Sequence, residues 1–165
     1  SYGLQVIISY RFCRWTSSYQ GLFTVIVKTL LRTVAFLLHK LLERMYDIHI
    51  SLHADIAPGL YIGHFGGIRI GSCAIGYWCN INHQILIGQG EDTDHMNTQI
   101  FIGDRVWIGA HSKIDNGVTI GNGATVSVGT FASKDIPPSA LVAGSPCRVL
   151  QKDYDNSLLL GLPDK

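Results

Sequence analysis

The sequence predicts a mainly β protein: a parallel β-helix over residues 51–150, preceded by a short α-helical N-terminal segment over 1–50 and followed by a tail over 151–165. Two observations carry that prediction. An isoleucine or valine returns every six residues, and a glycine commonly follows it. The first fifty residues carry neither signal and are strongly apolar instead.

The six-residue period runs through Ile56, Ile62 and Ile68, then Ile75, Ile81 and Ile87, then Ile102, Ile108, Ile114, Ile120 and Val126. Glycine follows at Gly63, Gly76, Gly88, Gly103, Gly109 and Gly121. A small or branched residue recurs four places after the aliphatic one, as at Val106, Ser112, Val118, Ala124 and Thr130. A helix would place apolar residues at i, i+3, i+4 and i+7, and a long strand would alternate strictly. A six-residue spacing with glycine describes a short strand, a turn and another short strand, the glycines serving where a Cβ would clash or φ must be positive. Three hexads make one triangular coil, and stacked coils pair their strands in parallel. No hexad can bury its aliphatic side chain alone, so the coils are stable only as a stack.

Two steps break the period. Ile68 to Ile75 is seven residues, which reads as a bulge or corner adjustment. Ile87 to Ile102 is fifteen, and the excess falls in the polar run Gln89 to Gln99, which reads as a loop thrown out of the coil. Loops on rigid scaffolds often carry function.

Composition excludes several classes. A net charge of +1 with scattered basic residues, and no nucleic-acid-binding motif, argues against DNA or RNA as a partner. Cys13, Cys73, Cys79 and Cys147 show no Cys-x-x-Cys spacing and read as reduced, mostly buried thiols of a cytosolic protein. Leu22 to Tyr46 reads as one or two helices; Lys28 and Arg32 interrupt it too early for a membrane span of about 20 apolar residues. No small-residue cleavage site follows it, which argues against a signal peptide. A helical cap on the open end of the β-helix is the first reading. A membrane-surface helix is the second, because basic residues stand among Leu, Ile and Phe.

Histidines mark the candidate chemistry. His64 stands two places after Ile62 and His83 two places after Ile81, one full coil later, so the two belong on one corner about 4.8 Å apart along the stack. His95 stands in the extruded loop. The spacings fit no zinc pattern, and no metal is expected. A neutral imidazole suits a general base at neutral pH.

Residues 58–68, Pro-Gly-Leu-Tyr-Ile-Gly-His-Phe-Gly-Gly-Ile, resemble the active-site segment of hexapeptide-repeat acyltransferases, in the branch of serine O-acetyltransferases and polysaccharide O-acetyltransferases. Asn80-Ile81-Asn82-His83, the run from Ile102 to Ala110, Lys134 to Pro138, and Val142 to Val149 continue the resemblance, which covers residues 48–150. It implies a left-handed β-helix, a homotrimer, and acetyl-CoA as acyl donor in a groove between subunits. It implies His64 as catalytic base, with Ala110, His111 and Gly129 along the pantetheine groove; His83 and His95 are the two candidates to assist His64. Lys134 and Arg148 are candidate partners of the coenzyme phosphates, through charge alone.

The departures from serine acetyltransferases bear on the acceptor. Gly63 stands where those enzymes carry an aspartate, and Asp94-His95 where they carry an Arg-His pair that helps hold serine. An aspartate repels the amino acid carboxylate that an arginine would grip. The carboxylate that supports the catalytic histidine has no clean counterpart, though His49, Asp47 and Asp55 fall nearby. The expectation is therefore O-acetylation of a saccharide hydroxyl, in the cytoplasm and at the inner face of the membrane, with serine as the alternative acceptor.

Overall fold

The computed structural model describes residues 2–18, 25–64, 66–88 and 99–161. Two helices, α1 (Tyr2–Ser18) and α2 (Val25–Tyr46), lead into a β-solenoid of about four turns. The first coil is β1 (Ile48–Ile50), β2 (Asp55–Ile56) and β3 (Tyr61–Ile62). The second is β4 (Ile68–Ile70), β5 (Cys73–Ile75) and β6 (Asn80–Ile81). The third is β7 (Leu86–Ile87), β8 (Ile100–Ile102) and β9 (Trp107–Ile108), and the fourth is β10 (Lys113–Ile114), β11 (Thr119–Ile120) and β12 (Thr125–Val126). Then β13 (Phe131–Ala132) and β14 (Leu141–Ala143) extend the stack, and β15 (Arg148–Gln151) folds back antiparallel on β14. A short helix, α3 (Ser157–Leu160), follows.

Every third strand pairs in parallel, which gives three faces. The first is β1-β4-β7-β10-β13, the second β2-β5-β8-β11, and the third β3-β6-β9-β12-β14. The aliphatic positions of the six-residue period point inward, and Ile68, Ile81, Ile87, Ile108, Ile114 and Val126 are fully buried. Burying one such side chain is worth about 1.5–3 kcal/mol. The residues four places on line the same core, including Val106, Ala124 and the hydroxyl-bearing Ser112 and Thr130.

The register moves the first irregularity. Ile70, rather than Ile68, pairs with Ile87, while Ile68 pairs back to Ile48. The long step therefore runs from Ile62 to Ile70, and the Ile70 to Ile75 step is short. The extra residues lie directly after His64, at Gly66 (φ +100°) and Gly67 (φ +67°), and not between Ile68 and Ile75. They fit there because both N–H groups leave the ladder: Gly66 donates to Tyr46 O (3.1 Å) and Gly67 to Asp47 Oδ2 (2.6 Å).

Of the glycines that follow the aliphatic positions Gly88 takes φ +73°, whereas Gly109 and Gly121 answer a different need. A Cβ on Gly109 would stand 2.6 Å from Val128 N, and one on Gly121 2.4 Å from Pro138 N. They keep adjacent coils at strand spacing. The left-handed backbone occurs two residues later, at Trp78, Gln84, Arg105, His111 and Ser139 among non-glycines.

The N-terminal helices close the open end, as the cap reading expects. Val6, Ile7 and Tyr10 join the core beside Ile48, Ile50, Ile56 and Ile62. The Tyr10 hydroxyl donates to Ala54 O, and Arg14 donates to the same carbonyl (2.7 Å) and pairs with Asp55 (3.0 Å). Buried Glu43 ties α2 to β1 by accepting the Ile50 N–H (2.9 Å), and it pairs with Lys40 at 2.8 Å and His39 at 3.4 Å. Burial alone would raise the Glu43 carboxyl, but hydrogen bonds from His39, Lys40 and the Ile50 amide outweigh it and hold the group at about 2.

Cys73, Cys79 and Cys147 are free thiols; burial pushes Cys73 up to about 12 and Cys79 up to about 11. The chain beyond β15 runs back down the corner between the second and third faces. Tyr154 N–H donates to Ser139 O (2.7 Å), Asn156 Nδ2 to Arg105 O (2.9 Å), and Asn80 Nδ2 to Leu159 O (3.4 Å).

Candidate active site

The corner between the third and first faces carries the imidazoles. Pairing of Ile62 with Ile81 and of Ile81 with Ile108 stacks the turns that follow them. His64 and His83 meet edge to face with ring centroids 5.6 Å apart, on the shared corner that the hexad count predicts. His111 extends the row, its ring 5.4 Å from that of His83. The backbone fixes this: the His111 N–H donates to His83 O (3.1 Å), and Gln84 N–H to Gly66 O (2.9 Å).

His111 stands three places after its isoleucine, in left-handed backbone at φ +59°, whereas His64 and His83 stand two places after theirs. Periodicity alone does not align it with them. The left-handed turn swings that side chain toward the corner, where the resemblance alone had placed it.

The three rings differ in environment. His64 and His111 are exposed, and His83 is half-buried between them. Its Nδ1 is sealed from solvent without a hydrogen-bond partner among the described residues. No carboxylate forms an ion pair with His64 among the described residues. Asp47 acts on it indirectly, by holding the Gly67 amide beside the His64 turn, and His49 Nε2 stands 3.5 Å from Asp47 Oδ1. Asp55 lies on the second face, engaged with Arg14.

Beyond His111 the corner is lined by small groups. Ala110 is buried, and its carbonyl accepts the Gly129 N–H (2.8 Å). A Cβ on Gly129 would meet nothing within 4 Å, so the lane above it is open, and its glycine serves φ +68°. Arg148 opens β15 opposite Ala143, at the far end of this corner. Lys134 stands two residues past β13, on the turn toward the second face, away from the imidazole row. His95 lies outside the described residues, as does most of the loop predicted over Gln89 to Gln99. Its two ends, β7 and β8, are adjacent strands of one coil.

Comparison with known proteins places this architecture. No family model matches the chain. Galactoside O-acetyltransferase of Escherichia coli K12 is 48% identical over 56 residues, 34% of this chain and 28% of that protein. Serine acetyltransferase 2 of Arabidopsis thaliana is 30% identical over 133 residues, 78% of this chain and 41% of that one. The crystal structure of serine acetyltransferase from Vibrio cholerae superposes with a TM-score of 0.76 at 23% identity, covering 96% of this chain and 58% of that chain. In sequence and in fold the chain is similar to hexapeptide-repeat acetyltransferases. A serine acetyltransferase in complex with CoA superposes with a TM-score of 0.71 at 22% identity over 91% of this chain and 57% of that one. The chain thus spans between a quarter and three fifths of the length of these proteins.

Proposed function

We propose that the protein is an acetyl-CoA-dependent O-acetyltransferase whose acceptor is a saccharide hydroxyl. The observation that carries this reading is the imidazole row that opens onto a lane of small residues. Ala110 and Gly129 leave room along that lane for a slender pantetheine arm, and Arg148 at its end offers a cation to a phosphate. In this reading His64 accepts the acceptor's hydroxyl proton as the oxygen attacks the thioester carbonyl. The tetrahedral intermediate collapses, the C–S bond breaks, and the protonated imidazole returns its proton to the leaving thiolate. His83 backs His64 by ring contact, and backbone N–H groups of a neighbouring coil supply charge stabilisation for the oxyanion.

The acceptor follows from the departures from serine acetyltransferases. Serine needs a grip on its carboxylate, and Asp94-His95 stands in the sequence where those enzymes carry an Arg-His pair. A sugar needs only hydroxyl donors and acceptors. The relative named serine acetyltransferase supports the alternative acceptor, and the one named galactoside O-acetyltransferase supports the sugar. The reading includes a homotrimer, in which a second copy walls the groove, located in the cytoplasm at the inner membrane face.

The test is thiol release from acetyl-CoA with a panel of saccharides and with L-serine. Saccharide-dependent release, lowered about 10²–10⁴-fold in His64→Ala, is the expected result. Efficient turnover of serine would replace the sugar reading, and an unaffected His64→Ala variant would end the mechanism.

A further inference from the structure

The α2 helix buries one face and leaves a second apolar face open. Ala35, His39 and Glu43 point inward, with Leu42 and Tyr46 half-buried against the body. On the outer side Leu30, Leu31, Val34, Leu37, Leu38, Leu41 and Met45 are each between 40% and 64% exposed. At about 100° per residue these seven fall within an arc of about 120°. No polar residue of positions 29–46 enters that arc. A folded monomer rarely shows a contiguous apolar patch above a few hundred Å², and one of this make-up marks a contact surface.

The charge around the arc has one sign. Arg32, Lys40 and Arg44 are exposed on α2, and Glu43, its acid within positions 29–46, is buried against Ile50 N–H, Lys40 and His39. Arg44 and Lys40 stand beside one edge of the arc and Arg32 on the far side of the helix; an apolar arc with cations beside it suits an anionic lipid surface, with aliphatic side chains among the acyl chains and Arg44 at headgroup level.

The α1 helix repeats the theme with Leu4, Ile8, Phe12 and Trp15 exposed at helical spacing and the Phe12 and Trp15 rings stacked at 5.9 Å. No described helix is long and apolar enough to cross a membrane.

We infer that the outer face of α2 docks the protein on a membrane carrying anionic lipid, lying in the interface without crossing it. The inference rests on the membrane placement proposed above and is independent of the chemistry at His64.

The experiment is vesicle co-sedimentation of the full chain, with phosphatidylcholine vesicles and with vesicles that also contain phosphatidylglycerol. The double variants Leu37→Gln/Leu41→Gln and Arg32→Glu/Arg44→Glu alter only exposed side chains, and circular dichroism checks their fold. The expected result is binding to the phosphatidylglycerol vesicles that weakens at least tenfold for both double variants and for phosphatidylcholine alone. His64→Ala should bind as the wild type does, whatever becomes of its activity. Wild-type protein that stays in the supernatant, or double variants that bind undiminished, would overturn the inference. So would a leucine variant that leaves vesicle binding unchanged and lowers the oligomeric state, which would assign the arc to a second copy.

Discussion

Glu43 is a single carboxylate that joins α2 to the first coil, and its titration makes a measurable claim. It is held at about 2 against an ordinary 4.5, so the folded state favours the ionised form. The stabilisation is present above about pH 4.5 and is lost as pH falls toward 2; 2–3 units of depression correspond to about 3 kcal/mol. Glu43→Gln should therefore lower stability by about 2–3 kcal/mol at neutral pH. Its deficit should shrink across that acid window in urea titrations at stepped pH. Nothing in the chain before folding marks Glu43 out, because its partners come from β1 and from the i−3 and i−4 positions of its own helix. His64 is the opposite case: its neighbours in sequence identify it, and the hexad count alone sets it over His83.

At the scale of elements, the turn after β3 is the one that departs from the repeat, and that turn holds His64. A sequence ladder reads steps between similar residues, and Ile68 and Ile70 compete for the same place in it. Only pairing shows that Ile70 keeps register with Ile87, and that the surplus length sits at Gly66 and Gly67. Asp47 secures the surplus through the Gly67 amide. On the mechanism proposed for His64, Asp47→Ala should lower kcat about tenfold with little change in KM, because a displaced base costs orientation more than binding. Asp47→Asn, which keeps an oxygen acceptor and tolerates the left-handed backbone at φ +51°, should recover most of the loss. Steady-state kinetics with the acceptor found in the panel would decide between these outcomes. His111 escaped the ladder for a related reason, since it occupies the left-handed turn position that other coils fill with glutamine or glycine.

Across the whole molecule, the solenoid and its core were legible because one residue type recurs at one spacing, and burial of that column is what the stack needs. The path of the chain after β15 was not legible, because it is held by single hydrogen bonds to carbonyls of distant coils and leaves no periodic trace. Asn156 makes two of these, to Arg105 O and Ala124 O, and is itself buried. Asn156→Ala would leave two carbonyls without that donor and should cost about 1–3 kcal/mol in urea unfolding.

A stack of repeats in which each coil touches only its neighbours can fray from an end, one unit at a time. Here the segment from Tyr154 to Leu159 ties the fifth-rung residue Ser139 to the second-rung residue Asn80 across everything between them. The array is thereby laced lengthwise, and its coils should melt together in one transition, as a globular domain does, where an unlaced array would peel.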